Sequence, residues 1–487
     1  MQRDGSPSPS RLDRVALGAV VALLCLFSAL ALAPRGPVHR AFEGSLRATD
    51  FRAFYCAARV AREGQDPYLG APLERCETHD AGTPEPVPGS TTLLDPAPQP
   101  GYDFALMEPL ALLPFFPAAV LWNALLAGCI ILSAWLLRGL TGAPFLIPLA
   151  AFAIVLGYQT LPYGQLSPIP IVAMCLAAYF LQAQRFAAAG IAAAFAMFVP
   201  QLGAPLCGAL VLWQPNTRLA LVATGALLAG LSLLALGFDV NVHYLAAALP
   251  AQQVAALDDP SQYSLTWLLH QFHASDAAAL RVGSASYLVL LVLSIASAGR
   301  LARTLGLGPA LALFPPAACT LLGPYIHIQQ VAIALPFAIY AATKAARYRA
   351  IASLVVLVLA LDWPAMKYLR LNALELLVII TLIAFAMRGL PLVRRSTMLL
   401  STVALYALFA FAAHRLPATE VFPHRAGSTT SALRYGADLA STQMLVSREQ
   451  GAWRDASWQM AAGKLPTWLA LIALIWLGVR LARRPAT

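Results

Sequence analysis

Apolar runs separated by short polar turns account for most of the chain. Runs able to span a bilayer lie near residues 15 to 33, 105 to 137, 145 to 160, 166 to 182, 218 to 238, 284 to 299, 309 to 323, 328 to 343, 349 to 361, 372 to 388, 397 to 413 and 467 to 482. A straight crossing needs roughly 20 residues, so the shorter runs are expected to extend by a few residues at their ends. The run 186 to 213 departs from the pattern because Pro200 and Pro205 lie inside it and remove helical backbone donors. It is expected to form two short helices as a re-entrant hairpin, with protein or water covering the broken backbone.

With that hairpin returning to its own side, Arg11 and Arg14, Arg138, Arg185, Arg218, Arg300 with Arg303, Lys344 with Arg347 and Arg349, Arg388 with Arg394 and Arg395, and Arg480 with Arg483 and Arg484 share one face. The positive-inside rule makes that face the cytoplasm. The predicted organisation is a cytoplasmic tail (1–14), a first transmembrane helix (15–33), an external loop (34–104), a transmembrane core (105–413), a second large external loop (414–466), and a last transmembrane helix with its cytoplasmic tail (467–487). The segments left outside, including 163–167, 239–283, 323–330 and 361–372, hold nearly every charged or histidine-bearing stretch that is more than loop punctuation.

Composition agrees with the pattern. The chain is 59% hydrophobic and 11% charged, with a mean hydropathy of +0.68, which places it among all-α polytopic integral membrane proteins. Its net charge of +10 sits in short clusters between apolar runs, so a nucleic-acid partner is not expected. The first apolar run exceeds a usual signal h-region and reads as a retained helix. Cys25, Cys129, Cys175, Cys207 and Cys319 fall in apolar runs and read as small hydrophobic filler. Cys56 and Cys76 share the first external loop, where an oxidising compartment would permit pairing; spacing leaves this open. No metal-ligand spacing occurs, and no metal or other cofactor is expected.

The stretch "RATDFRAFYCAARVAREGQDPY" (47 to 68) is polar among apolar neighbours. Thr49 or Asp50 can cap a helix over 50–63, and Gly64 ends it. Phe51, Phe54, Tyr55 and Ala58 recur at helical spacing, with Arg52, Arg59 and Arg62 elsewhere. This predicts an interfacial helix whose aromatic residues dip into the acyl boundary. Asp50 reads from spacing as an N-cap, with a catalytic carboxylate as the alternative.

This stretch resembles the signature "D-F-x-x-Y/F-x-A-A-x…G-x-D-P-Y" that opens glycosyltransferase family 87, polytopic enzymes of the GT-C superfamily. "MEPLALLPFFPAAVLWNAL", "YGQLSPIPIVAMCLAAY", "AGIAAAFAMFVPQLGAPLCGALVLW", "SQYSL" and "GPYIHIQQVAIALP" are similar to later family segments, in order, over roughly residues 45 to 345. Two positions depart: the hairpin lysine is Val199, and "YPP" is "YDF", Tyr102 to Phe104. The resemblance implies a GT-C fold with about 12 transmembrane helices, the hairpin and the interfacial helix. It implies transfer of a sugar, with mannose expected, from a polyprenyl-phosphate donor to a glycolipid or cell-wall glycan acceptor, at the outer face of a bacterial-type cytoplasmic membrane.

Such a transfer needs a base, donors or cations for the leaving phosphate, and a groove for the prenyl chain. By the resemblance, Asp50 is the general base of an inverting displacement and His327 the second catalytic candidate; an interfacial histidine bonded to a backbone carbonyl is the alternative for His327. Arg52, Arg59, Lys367 and Arg370, with Tyr55, are the donor-phosphate candidates, although such cations also anchor to lipid phosphates generally. Tyr163, Gln165, Gln262, Ser264 and Tyr325 are the sugar-binding candidates. Asp362 and Trp363 lie on the same face, and 414–466 holds no recognisable motif. A lipid or glycan transporter, or a noncatalytic protein of the same fold, are the competing readings.

Overall fold

The computed structural model describes residues 49–77, 97–361 apart from 162, 256, 258–260, 307 and 346–347, and residues 457–483. Every extended element among them is a helix, and an isolated β-bridge pairs Gln262 with His327. The first external segment folds as α1 (Thr49–Arg62) and α2 (Gly70–Arg75). Then come α3 (Gly101–Ala111), α4 (Phe115–Thr141), α5 (Leu146–Gln159), α6 (Pro168–Gln182), α7 (Phe186–Phe195) and α8 (Pro200–Trp213). Next are α9 (Arg218–His243), α10 (Leu249–Ala255), α11 (Leu265–Gln271), α12 (Asp276–Leu305) and α13 (Ala310–Cys319). The short α14 (Ile328–Val331) precedes α15 (Leu335–Lys344) and α16 (Arg349–Leu359), and α17 (Ser457–Ala482) ends the described chain.

Four stretches are long and apolar enough to cross a membrane: 115–141, 215–254, 276–303 and 464–482. They expose large apolar side chains, such as Leu121 and Leu125 on α4, Leu219 and Leu234 on α9, and Val289 and Val292 on α12. Apolar faces of this kind suit lipid contact. Among the shorter apolar helices α13 is enclosed, with every residue buried. By length and composition four stretches among the described residues suit a crossing, where about 12 were expected over the whole chain. The expected spans 15–33, 372–388 and 397–413 lie outside the described residues, as do Lys367, Arg370, Asp362, Trp363 and residues 414–456.

Several boundaries differ from expectation, among them these. The run 105–137 is two helices, α3 and α4, parted at Leu112–Pro114, because a residue before proline is pushed out of the helical region. α9 runs on past residue 238 to His243, bending at Gly237, whose φ of 73° suits glycine. α17 begins at Ser457, ten residues before the expected start at 467.

The hairpin forms as expected in its local geometry. α7 leads into a 3-10 turn (Ala196–Phe198), Val199 leaves the helical region, and Pro200 opens α8 where its missing N–H costs nothing. Both arms are covered by protein, α7 by α6 and α9, α8 by α12 and α13.

The helix at 50–63 also forms, with one correction. Phe51, Phe54, Tyr55 and Ala58 are each at most 4% exposed. They pack on protein, since α1 lies against α3 and also touches α4 and α9. Phe51 stacks on Phe115 and Trp122, at centroid distances of 5.8 and 5.5 Å. The face predicted to enter lipid is therefore core, and a disulfide between Cys56 and Cys76 ties α1 to the end of α2.

Candidate active site

Two side-chain groups gather around the expected residues. The first is built on the start of α1. Phe51 N–H donates to the Tyr163 carbonyl at 3.0 Å, and Trp122 Nε1 donates to the Gly164 carbonyl at 2.8 Å. Gly164 has φ +73°, and a Cβ there would lie 2.5 Å from Phe51 Cβ, so only glycine lets the turn approach the helix this closely. Half-buried Asp50 thus stands beside half-buried Tyr163, with Gln165 in the same turn. α5, which leads into this turn, packs against α14, the helix that His327 caps.

The second group surrounds His327. Its Nδ1 lies 2.7 Å from Ser261 Oγ, and its Nε2 lies 2.8 Å from Gln262 Nε2 and within hydrogen-bond distance of Tyr325 Oη. Ile326 N–H donates to Gln262 Oε1 at 2.9 Å, which turns the amide so that its NH2 faces the imidazole. An NH2 can only donate, and the His327–Gln330 capping box directs a further backbone N–H at the ring. With the amide NH2 donating to Nε2, the proton of the neutral ring is left to Nδ1, which faces the Ser261 hydroxyl. Tyr263 N–H donates to the Ile326 carbonyl at 2.6 Å and completes the pairing. Ser264, fully buried, accepts from Trp267 N–H at 3.1 Å as the N-cap of α11, so its hydroxyl is committed to the helix start.

Sequence reasoning missed what lies beneath this group. Lys464, 1% exposed, donates to the Gln262 carbonyl at 2.6 Å and sits 3.3 Å from the centre of the Trp267 ring. One turn on, Trp468 Nε1 donates to the Tyr263 carbonyl at 3.0 Å. A lysine opening an apolar helix reads in sequence as a snorkelling anchor. Its only signal was the spacing of Lys464 and Trp468, four residues apart on one helix face.

The arginines of α1 are engaged with acids. Arg52 faces Glu77 at 3.9 Å, Arg59 faces Glu63 at 3.6 Å, and Arg62 faces Glu108 at 3.9 Å. Arg59 also stands nine residues beyond Asp50, about 13 Å along the helix axis. That separation does not bring Arg59 and Asp50 to one scissile bond. Arg59, Arg62 and Tyr55 instead line a 580 Å³ groove with Leu112 and Phe115, and Tyr55 Oη donates to the Leu113 carbonyl at 2.8 Å. Val199, standing where the resemblance expects lysine, is buried.

A separate cluster holds the end of the first segment. Asp66 meets His243 Nδ1 at 2.7 Å and accepts from Tyr68 N–H at 2.8 Å, while Tyr68 stacks on Tyr244 at 5.2 Å. Asp103 lies beside these tyrosines, fully buried, with neither carboxylate oxygen hydrogen-bonded among the described residues. Burial pushes its carboxyl well above the usual carboxylate range, and pushes the Tyr68 and Tyr102 phenols up as well.

Among the described residues no group of three or more His, Cys, Asp or Glu stands close enough to hold a metal ion. No curated protein matches the sequence. The helices that carry the Tyr163 turn, the hairpin and the Gln262 segment fall within residues 103–324, which match the family model of glycosyltransferase family 87.

Proposed function

We propose that the protein transfers a sugar, with mannose the expected one, from a polyprenyl-phosphate donor to a glycolipid or glycan acceptor at the outer face of the cell membrane. Asp50 acts as general base in an inverting displacement. The observation that carries this reading is the bond from Phe51 N–H to the Tyr163 carbonyl, which holds a carboxylate at the helix start against a turn bearing Tyr163 and Gln165. Asp50 and His327 both lie outside the matched residues 103–324, so their roles rest on geometry and on the resemblance.

The leaving phosphate gains its stabilisation from fixed donors in a water-poor site. Tyr325 and the Ser261–His327 pair are the polar groups best held to supply them or to pass a proton. The disulfide between Cys56 and Cys76 favours the external side, because such bonds persist in oxidising compartments. Purified full-length protein incubated with radiolabelled polyprenyl-phosphate mannose and a membrane lipid extract tests the reading. Labelled product from wild type and its loss in Asp50→Ala support it. Equal transfer by Asp50→Ala removes the base assignment, and no transfer by wild type favours the noncatalytic reading to which buried Val199 points.

A further inference from the structure

α17 lies outside the matched domain, yet two of its side chains reach into the segment that holds His327. A buried ammonium is costly to desolvate and is kept only where its partners compensate. Lys464 has such partners: the Gln262 carbonyl at 2.6 Å, the face of Trp267 at 3.3 Å and the Tyr263 ring at 5.3 Å. Trp468 fixes the next carbonyl, that of Tyr263. With both carbonyls drawn toward α17, the other side of residues 261–263 faces Ile326 and His327. There the Tyr263 N–H and the Gln262 side chain bind Ile326, and Ser261 and Gln262 meet the two imidazole nitrogens.

We propose that Lys464 is a positioning residue for His327, acting through Gln262 and assisted by Trp468. By holding the Gln262 main chain it keeps the amide NH2 on His327 Nε2, and so selects which hydroxyl receives the ring proton. With Nε2 accepting from the Gln262 NH2, the proton of the neutral ring sits on Nδ1 and faces Ser261 Oγ. Lys464 touches neither sugar nor phosphate. The catalytic meaning of this arrangement rests on the proposed role of His327; the arrangement itself does not.

The test uses full-length protein labelled with 15N-histidine, with the His327 signals assigned by their loss in His327→Gln. In wild type, one protonated and one unprotonated ring nitrogen are expected, with correlations placing the proton on Nδ1. Lys464→Met is expected to shift these signals or mix the two tautomers, and Trp468→Phe, which deletes a single hydrogen bond, to do so more weakly. In the transfer assay both variants should lose kcat with little change in KM. Unchanged imidazole signals in folded Lys464→Met overturn the proposal; if that variant does not fold, unchanged signals in Trp468→Phe do so. Shifted imidazole signals without any transferase activity in wild type would instead retain the positioning role and remove the proposed function.

Discussion

Phe51 and Trp122 stack at a centroid distance of 5.5 Å, and both donate hydrogen bonds to one turn, Phe51 to the Tyr163 carbonyl and Trp122 to that of Gly164. The start of α1 is thereby fixed between α4 and the turn that follows α5. The candidate base precedes Phe51 in sequence, so its position is set by this contact rather than by its own side chain.

Gly164→Ala is expected to displace Asp50. The new Cβ would meet Phe51 Cβ at 2.5 Å, at a φ of +73°. Backbone strain alone costs about 1–2 kcal/mol, and a shift of the base should lower transfer by on the order of tenfold or more. Gly142→Ala is the control. It shares the φ of +73° but has nothing within 4 Å of its Cβ. Its thermal stability should fall by a comparable strain while transfer per folded molecule stays intact. Equal loss of transfer in both would break the link between this turn and the site.

The bridge between Cys56 and Cys76 closes a loop with a sequence separation of 20. Loop entropy for that length predicts that Cys56→Ser with Cys76→Ser costs about 3 kcal/mol. The loss should appear as a lower midpoint for thermal unfolding in detergent, reproduced by reductant in wild type and absent on adding reductant to the double variant. The ion pair of Arg52 with Glu77 hangs on the same link and should weaken with it.

Helical periodicity at Phe51, Phe54, Tyr55 and Ala58 gave α1 almost to its ends, and Pro200 located the break in the hairpin. What periodicity could not give was the partner of the apolar face, because lipid and protein interior select the same side chains. α1 was thus expected in lipid and is found in core. The same ambiguity holds for α13, an apolar run that is wholly enclosed by other helices. Motif order named Asp50, Tyr163 and His327 as candidates. Lys464 was not named, since its role depends on a carbonyl about 200 residues away in sequence, and no local pattern carries such a contact.

Gly203 of α8 lies close against the 3-10 turn of the hairpin. A Cβ there would lie 2.6 Å from the main chain of Ala196 and Met197, and backbone cannot move aside as a side-chain end can. Gly203→Ala should therefore cost about 1–3 kcal/mol, as overpacking does. Gly225→Ala, in α9 with nothing within 4 Å, should instead gain about 0.5–1 kcal/mol through helix propensity. Opposite shifts of the unfolding midpoint in one detergent would establish the close approach, and equal shifts would refute it.

Asp103 makes stability depend on pH with a determinable sign. Its carboxyl is fully buried and titrates well above its unfolded value of about 3.9. Between those two values the folded state binds more protons than the unfolded state, so stability falls as pH rises through this window. Tyr68, Tyr102 and Tyr244 face the carboxyl. Their phenols ordinarily ionise near pH 10, so they do not titrate in this range, and the pair of His243 with Asp66 is present in both proteins compared. Asp103→Asn keeps the shape and removes the ionisation. Below about pH 4 the two proteins should unfold at similar temperatures; as pH rises above that, the wild type should lose stability relative to the variant by up to about 1.4 kcal/mol per pH unit. Parallel pH curves for wild type and variant would mean that the Asp103 carboxyl finds a partner or water in the membrane-embedded protein, and the burial argument would fail.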